Sequence, residues 1–238
     1  MSKLLIICPA FNEGEKLPTL IEEFKSTSHL KNLLVINSGS SDNTKNILKK
    51  NNIKSIDLPV NKGVGFALIS GIKYAIEKNY DICCVIAGNG KMDPKEIDKI
   101  VHKVKNEDYD FVQGSRYLDK ESTFLPTFRR IMIPIVTKLY ATIFKKNFTD
   151  ATCGFRAFKV ELIKNATFNL NSKLLYTYAF EPYFFSNVML DDNIKKNRSF
   201  CKNEIYKRGK KIHKDSTTVG LSGTFFTIFN CLSIPKKI

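Results

Sequence analysis

The chain has 238 residues, of which 43% are apolar and 11% are aromatic, a length and composition that exclude a disordered chain and favour one globular core. Its formal charge is +15 at neutral pH, from 38 Lys and Arg against 23 Asp and Glu. This balance favours anionic partners such as nucleotides, phosphates or an acidic membrane face, although a lysine-rich solvated surface explains it equally well.

Strands and helices alternate along the first half of the chain. Five short apolar runs are typical of buried strands, at residues 4–8, 33–36, 53–58, 81–87 and 110–114. The segments between them have the apolar spacing of helices, at residues 15–28, 43–50, 67–76 and 94–105. Asn12 is expected to cap the first helix. This alternation predicts a parallel α/β sheet.

The second half is less regular. Residues 130–146 predict a helix interrupted by Pro134, residues 150–158 a loop and a strand, and residues 174–190 an aromatic helix. Residues 191–214 are polar and basic, and residues 219–234 form an apolar tail. Because no repeat or linker divides the chain, we expect one domain over residues 1–238. Its nucleotide-binding half is residues 1–118, and its acceptor-side half is residues 119–238, including a tail that can meet a membrane.

The six cysteines form no C-x-x-C pair, and most of them stand in apolar runs. They indicate buried, reduced thiols and no structural zinc site. The first apolar run is too short for a signal peptide, and no run of about 18 apolar residues predicts a spanning helix. We therefore expect a cytoplasmic protein.

Ligand-type residues follow all five predicted strands, and in an open parallel sheet ligands bind beyond the carboxyl ends of the strands. Each group alone is also consistent with a turn or a helix cap, but together they predict a nucleotide site. Asn37, for example, has an amide that can pair with a pyrimidine edge. The candidates for nucleotide-sugar binding, in strand order, are Pro9, Ala10, Phe11 and Glu13, then Asn37 and Gly39, then Lys62 and Gly65, then Gly88 and Asn89.

Three candidates for phosphate and acid–base chemistry stand close to these groups. Lys91 puts a cation beside the fourth strand end, and Arg116, after the fifth strand, is a planar fork suited to phosphate. Asp150 supplies a carboxylate further along the chain. We expect Lys91, Arg116 and Asp150 to be the catalytic residues.

Other classes of nucleotide-binding protein fit less well. The pattern Gly63-x-Gly65 has Leu68 where a dinucleotide fingerprint needs its third glycine, and it follows the third strand instead of the first. A sugar nucleotidylyltransferase needs a glycine-rich, arginine-bearing loop after the first strand, which is missing. No basic motif with interleaved aromatic residues is present, so no nucleic acid is expected as a partner.

The ordered set of motifs over residues 3–160 resembles the family 2 glycosyltransferases with the GT-A fold, and within them the polyprenol-phosphate (dolichyl-phosphate) sugar transferase branch. The matching segments are 9–13, 39–44, 61–65, 93–94, 114–116 and 154–157. The resemblance implies an α/β, mostly parallel central sheet with helices on both faces. It also implies inverting transfer from a nucleoside-diphosphate sugar to polyprenyl phosphate or a glycan, in envelope glycan synthesis, by a protein that can lie on the cytoplasmic face of a membrane.

Two departures from the family pattern concern its carboxylates. The paired aspartates after the second strand are replaced by Asn37 and Ser38, and the Asp-x-Asp metal motif by residues 87–89, Ala-Gly-Asn. Only Asn89 and Asp93 remain as candidate ligands for Mg²⁺ or Mn²⁺, which prefer charged oxygens. One hypothesis is that Lys91 replaces the metal by neutralising the donor diphosphate. The alternative is a protein that binds nucleotide sugars and has lost catalysis.

The resemblance further implies that Arg116 and Arg130 hold the acceptor phosphate, with Arg129 as a neighbour. Such an acceptor is already anionic, so it hardly needs a general base. A hydroxyl acceptor would need one, with Asp150 as first candidate and Glu181 as second. Residues 131–144 fit either a core helix or a helix on a bilayer, and the basic cluster 207–211 would attract anionic lipids.

Overall fold

The structure is a computed structural model. It describes residues 2–107, 109–117, 125, 127–165, 169–191, 194, 196 and 197. The strands are β1 (Leu4–Ala10), β2 (Leu33–Ser38), β3 (Ser55–Leu58), β4 (Ile82–Val85), β5 (Phe111–Gln113), β6 (Arg156–Lys159) and β7 (Lys196–Asn197). The helices are α1 (Leu17–Lys25), α2 (Thr44–Lys50), α3 (Val64–Glu77), α4 (Ile97–Asn106), α5 (Thr127–Phe144), α6 (Val160–Asn165) and α7 (Phe180–Leu190). Short 3-10 turns occupy Leu30–Asn32, Pro94–Glu96 and Lys173–Tyr176.

The strands of this described part form one sheet in the order β3-β2-β1-β4-β6-β5-β7. β1 pairs in parallel with β2 and β4, and β2 pairs in parallel with β3. β6 runs antiparallel between β4 and β5, so β5 has the direction of β4. The carboxyl ends of β1 to β5 therefore meet at one edge of the sheet, which we call the carboxyl edge. The expected GT-A-like, mostly parallel sheet is confirmed.

Helices cover both faces of the sheet because the side chains of its central strands alternate between two apolar layers. In β1, Leu5 and Ile7 pack in the layer that contains α3, α5 and α7. Ile6 and Cys8 pack in the other layer, with α1 and α4. This two-sided burial explains why the sequence shows continuous apolar runs instead of polar alternation.

The five strands predicted from the first half are all present: β3, β4 and β5 are shorter than predicted, and β1 and β2 extend two residues further. The prediction that Asn12 caps the first helix is wrong. α1 begins at Leu17, and its N-cap residue, Lys16, makes no side-chain cap hydrogen bond. Asn12 instead has a φ of 51°, a left-handed backbone conformation that asparagine tolerates. Its side chain accepts a hydrogen bond from the Ser41 amide.

Two predictions for the second half need correction. The helix containing Pro134 is continuous from Thr127 to Phe144. Proline removes the N–H that would bond the carbonyl of Arg130, and the hydroxyl of Tyr117 donates to that carbonyl at 3.4 Å. The predicted helix at 174–190 is split into the turn Lys173–Tyr176 and α7.

Other predictions concern thiols, membrane spans and the tail. Cys8, Cys83, Cys84 and Cys153 are buried free thiols, as expected, and burial raises the pKa of Cys8 to about 12. Among the helices that the structure describes, none has the length and apolar character needed to cross a bilayer. The basic cluster 207–211, the tail 219–234 and most of residues 191–214 lie outside the described residues.

Gly65 provides a test of the packing beside the carboxyl edge. A Cβ atom at Gly65 would collide with the carbonyl oxygens of Leu175 and Thr177, which belong to backbone and cannot turn away. We expect Gly65→Ala to cost about 3 kcal/mol of unfolding free energy, or about 6–12 °C in melting temperature. In Gly154→Ala, the matched control, the nearest atoms would be 3.6 and 3.7 Å away, so the melting temperature should hardly change. Equal melting temperatures for the two variants would contradict this packing.

Candidate active site

The loops after β1 and β2 are joined by hydrogen bonds at the carboxyl edge. The Asn12 amide donates to Ser40 Oγ at 3.0 Å, and the Ser41 amide donates to Asn12 Oδ1 at 2.9 Å. The Glu13 amide donates to Thr44 Oγ1 at 3.0 Å. These bonds hold the predicted nucleotide segment 9–13 against the start of α2. Phe11, 45% exposed at this place, offers an open ring face.

Asn37 and Asp57 form a polar pair where β2 and β3 end side by side. Asn37 Nδ2 donates to Asp57 Oδ1 at 2.7 Å, and Asn37 Oδ1 accepts from the Ser40 amide at 3.3 Å. Burial opposes ionisation of Asp57, but hydrogen bonds from Asn37 and Lys45 outweigh it and lower the pKa. Asn37 is only 2% exposed, so its expected pairing with a base is not favoured. The exposed carboxylate here belongs to Asp57, which the sequence analysis missed.

The loop after β4, residues 86–93, folds back on itself. The Gly88 amide donates to the Pro9 carbonyl at 3.1 Å, which brings this loop beside the loop after β1. Asn89 Oδ1 accepts from the Lys91 amide at 3.1 Å, and Gly90 between them has a φ of 67°. A residue with a side chain would be strained at Gly90. The Asp-x-Asp position of the family is therefore a tight asparagine turn.

The residues of this loop do not fit a divalent cation. The one amide oxygen of Asn89 already caps the turn, and Asp93 Oδ1 accepts from the Lys95 amide at 3.0 Å. No group of three or more His, Cys, Asp or Glu side chains placed to hold a metal occurs among the described residues. Asn89 and Asp93, the two remaining candidate ligands, are a poor set for Mg²⁺ or Mn²⁺, because such ions require several oxygen ligands, preferably charged ones.

Cationic side chains converge where the metal motif is missing. Burial lowers the pKa of Lys91, and the nearby charges of Arg129 and Lys16 lower it further, while Glu13 opposes them. Lys16 Nζ lies 2.8 Å from Glu13 Oε2. We call Lys16, Lys91 and Arg129 the cation cluster. It joins the segment after β1, the loop after β4 and helix α5, and an anion bound there would relieve the repulsion that lowers the pKa of Lys91.

Arg116 and Asp150 satisfy each other in a buried ion pair. Arg116 Nε donates to Asp150 Oδ2 at 2.7 Å, and Nη2 donates to Oδ1 at 2.9 Å. The Thr152 amide also donates to Oδ1, at 2.9 Å. Asp150 is only 3% exposed, and both of its oxygens accept hydrogen bonds. This arrangement suits an anchor better than a general base.

The remaining predicted acceptor residues lie at the start of α5. Arg129 is half-buried and Arg130 exposed. Their carbonyls accept from the hydroxyl of Tyr117, one residue after Arg116. Arg129 also acts electrostatically on Lys91. Tyr117 thus links the segment after β5 to the start of α5, and among the acceptor candidates Arg129 is the one whose charge acts on Lys91.

Arg156 and Glu181 form a second ion pair beside the loop after β4. Arg156 is 3% exposed, and its Nη2 contacts Glu181 Oε2 and donates to the Cys153 carbonyl at 3.1 Å. Burial raises the pKa of Glu181, and Arg156 opposes this only partly. Glu181 Oε1 and Met92 Cε both flank Gly154. A carboxyl group with a raised pKa therefore lies next to the predicted donor site.

The predicted residues after β2 and β3 differ in exposure: Lys62 is open to solvent, whereas Gly39 and Gly65 lie close to neighbouring backbone. Lys62 is exposed, with its Nζ 5.0 Å from the centre of the Phe66 ring. Gly39 has a φ of 65°, and a Cβ there would come within 2.8 Å of the Val60 backbone. Gly65 faces Leu175 and Thr177, so packing alone explains why it is glycine. Nucleotide contacts at these positions stay predictions.

We expect the removal of Asp150 to lower the free energy of unfolding more than the removal of a surface carboxylate does. Asp150→Ala leaves Arg116, whose side chain is 12% exposed, without its carboxylate, and we expect a loss of about 3–5 kcal/mol. Glu22→Ala removes an exposed partner of Lys25 and should cost less than about 1 kcal/mol. Urea denaturation measures both values. Similar losses in the two variants would show that the buried pair contributes little.

Several known proteins are similar to this chain in sequence or in structure. The family model "Glycosyl transferase family 2" matches residues 5–166. The chain is 27% identical to a UDP-N-acetylglucosamine–dolichyl-phosphate N-acetylglucosaminyltransferase of Methanococcus voltae, over 71% of this chain and 74% of that protein. It is 26% identical to an undecaprenyl-phosphate mannosyltransferase of Micrococcus luteus, over 68% of each chain.

The fold is also that of a glucosyl-3-phosphoglycerate synthase of Mycobacterium tuberculosis, which was solved with Mn²⁺, UDP-glucose and phosphoglyceric acid. The TM-score is 0.61 at 16% identity, and the match covers 99% of this chain and 81% of that one. The sheet order, the loops at the carboxyl edge and the match over residues 5–166 lead to one conclusion. The chain belongs to glycosyl transferase family 2, and the protein is a glycosyltransferase.

Proposed function

We propose that this glycosyltransferase moves a sugar from a nucleoside-diphosphate sugar to a polyprenyl phosphate, with inversion at the anomeric carbon. The observation that carries the proposal is the cation cluster at the carboxyl edge, which suits a diphosphate on the donor side and a phosphate on the acceptor side. The named relatives from Methanococcus voltae and Micrococcus luteus, which use dolichyl and undecaprenyl phosphate, support this acceptor class.

The donor lies, in this proposal, across the loops after β1, β2 and β4. Pro9, Ala10 and Phe11 hold the base, Glu13 accepts from a ribose hydroxyl, and Gly88 lets the backbone approach the diphosphate. Gly39, Lys62 and Asn89 are the other donor contacts in this proposal. The chain then divides by role, with residues 1–118 around the nucleotide and residues 119–238 around the acceptor. Such an acceptor would place the protein on the cytoplasmic face of a membrane.

The chemical step needs a stabilised leaving group more than a base. An acceptor phosphate oxygen attacks the anomeric carbon, the bond from that carbon to the β-phosphate oxygen breaks, and the nucleoside diphosphate leaves with the electron pair. In this proposal Lys91 neutralises the charge that develops on the diphosphate, as fixed cations do in other phosphate leaving-group sites. The phosphate nucleophile is already anionic and requires no proton removal.

Arg116 and Arg130 are proposed to hold the acceptor phosphate, with Arg129 between acceptor and donor. Arg116 would have to share its guanidinium between Asp150 and the incoming phosphate. A glycan hydroxyl acceptor would instead need a base, and the raised pKa of Glu181 makes it a better candidate than the saturated Asp150. This is the one observation that favours a glycan acceptor.

A thermal-shift panel tests the donor and the alternative of a non-catalytic binding protein. UDP, GDP, CDP and their sugars are each added with and without Mn²⁺, because a ligand that binds the native state raises the melting temperature. We expect one base to be preferred and its diphosphate to act without Mn²⁺. Incubation of the preferred sugar nucleotide with polyprenyl phosphate should then give a lipid-linked sugar. A shift without transfer to lipid or glycan would favour the binding protein.

Lys91 allows a direct test of catalysis without a metal. We expect Lys91→Met to lower kcat/KM by about 10²–10³-fold, because a charge that stabilises the leaving group is lost. The matched control is Lys95→Met, an exposed lysine on the next turn, which should keep its activity. Transfer by the unchanged protein should persist in EDTA. Activity that vanishes in EDTA and returns with Mn²⁺ would contradict the role of Lys91.

The pH dependence of transfer provides a further test. Burial and the charges of Arg129 and Lys16 lower the pKa of Lys91, so its charged form is lost at a lower pH than for an ordinary lysine. We expect kcat/KM to fall as pH rises through this lowered pKa. Lys91→Arg, if active, should move the fall to higher pH because arginine stays protonated. An identical alkaline limb in both proteins would exclude Lys91 as its source.

A further inference from the structure

Helix α5 has two apolar faces, and within the described part of the chain only one of them is buried. Ile133, Val136, Tyr140 and Phe144 are at most 8% exposed and lie in the core. A second row of apolar side chains follows at intervals of three and four residues, on the solvent side. We call this row the α5 stripe: Phe128, Ile131, Ile135, Leu139 and Ile143, which are 52, 55, 51, 37 and 46% exposed. The two interpretations of residues 131–144, as a core helix or as a helix on a bilayer, thus concern different faces of one helix.

An uninterrupted exposed stripe of this kind is unusual. Single exposed apolar residues are normal on soluble proteins, but a contiguous row marks an interaction surface. With a rise of about 1.5 Å per residue, the stripe extends over about 22 Å. Pro134, beside Ile135, is also exposed and adds no polar group. The stripe is long and straight enough to lie in a plane.

The charges around the stripe indicate which kind of surface it fits. Residues 127–146 contain no Asp or Glu and five basic residues, Arg129, Arg130, Lys138, Lys145 and Lys146. Arg130, Lys138 and Lys145 are exposed. An apolar helical face on a segment whose charged residues are all cationic complements a surface with acyl chains below and anionic headgroups above. A groove of another protein would have to supply both features at the same spacing.

We infer that the α5 stripe docks this protein on an anionic lipid bilayer, with α5 lying in the headgroup plane. The amino-terminal end of the stripe adjoins Arg129 and Arg130, so docking would bring headgroup phosphates to the acceptor side of the cation cluster. The biological meaning of the docking rests on the proposed lipid-phosphate acceptor. The docking itself does not depend on that acceptor, and the two are measured separately.

Sedimentation with vesicles tests this inference on the full chain. Vesicles of phosphatidylcholine alone are compared with vesicles that also contain phosphatidylglycerol. We expect binding to the anionic vesicles at low salt, and about tenfold or greater loss of binding in the triple variant Ile131→Ser, Ile135→Ser, Leu139→Ser. The matched control is Val60→Ser, which removes an equally exposed (53%) apolar side chain near the β3 edge of the sheet and should bind as the unchanged protein does.

Folding and function are controlled in the same samples. Because the three stripe residues are exposed, the triple variant should keep the melting temperature and the nucleotide-induced shift. It should also keep transfer to a water-soluble, short-chain polyprenyl phosphate while losing transfer to the same lipid in vesicles. Vesicle binding without any transfer would leave the docking intact and contradict the proposed function.

Three results would overturn the inference. The unchanged protein would fail to sediment with anionic vesicles, or the triple variant would bind them equally well. Alternatively, the triple variant would change the oligomeric size in gel filtration without lipid while vesicle binding stayed the same. That last result would assign the stripe to a second copy of the chain.

Discussion

The common direction of β1 to β5 is the constraint on which the whole site depends. Parallel strands bring their carboxyl ends to one edge, so loops far apart in sequence meet there. The antiparallel strand β6, inserted between β4 and β5, brings the start of its own strand to the same edge. This insertion places Arg156 beside the loop after β4, and the segment before β6 carries Asp150 to Arg116.

The electrostatics of this edge differ from those of a carboxylate-lined metal site. Where the family has an Asp-x-Asp motif, this chain has a tight turn at Asn89 and a half-buried Lys91. Burial and the charges of Arg129 and Lys16 disfavour the charged form of Lys91, and a bound diphosphate would favour it. The carboxylates that remain nearby, Asp150 and Glu181, are each paired with an arginine. This charge distribution is the basis for proposing anionic ligands on both the donor and the acceptor side.

The sequence predicted the architecture better than the contacts. Apolar runs and helical spacing give all five strands of the first half, because burial on both faces leaves a strong pattern. The split before α7 and the strained role of Asn12 escaped prediction, since they depend on Gly63 and Gly65 packing against residues 175–177 and on Ser41 reaching Asn12. Asp57 was missed because its partner, Asn37, is distant in sequence. Lys16 was missed because its effect on Lys91 also depends on residues distant in sequence. At the turn Asn89-Gly90-Lys91, the family motif identifies the position of the loop but not the side chains that occupy it.

Calorimetric titration in EDTA tests the central claim most directly, that fixed cations bind the donor diphosphate in place of a metal. The preferred nucleoside and its diphosphate are titrated separately into the same protein. The account predicts that the diphosphate binds more tightly than the nucleoside in EDTA, and that the difference shrinks in Lys91→Met and at high salt. Equal affinities in EDTA, with the diphosphate gaining affinity only when Mn²⁺ is added, would contradict it.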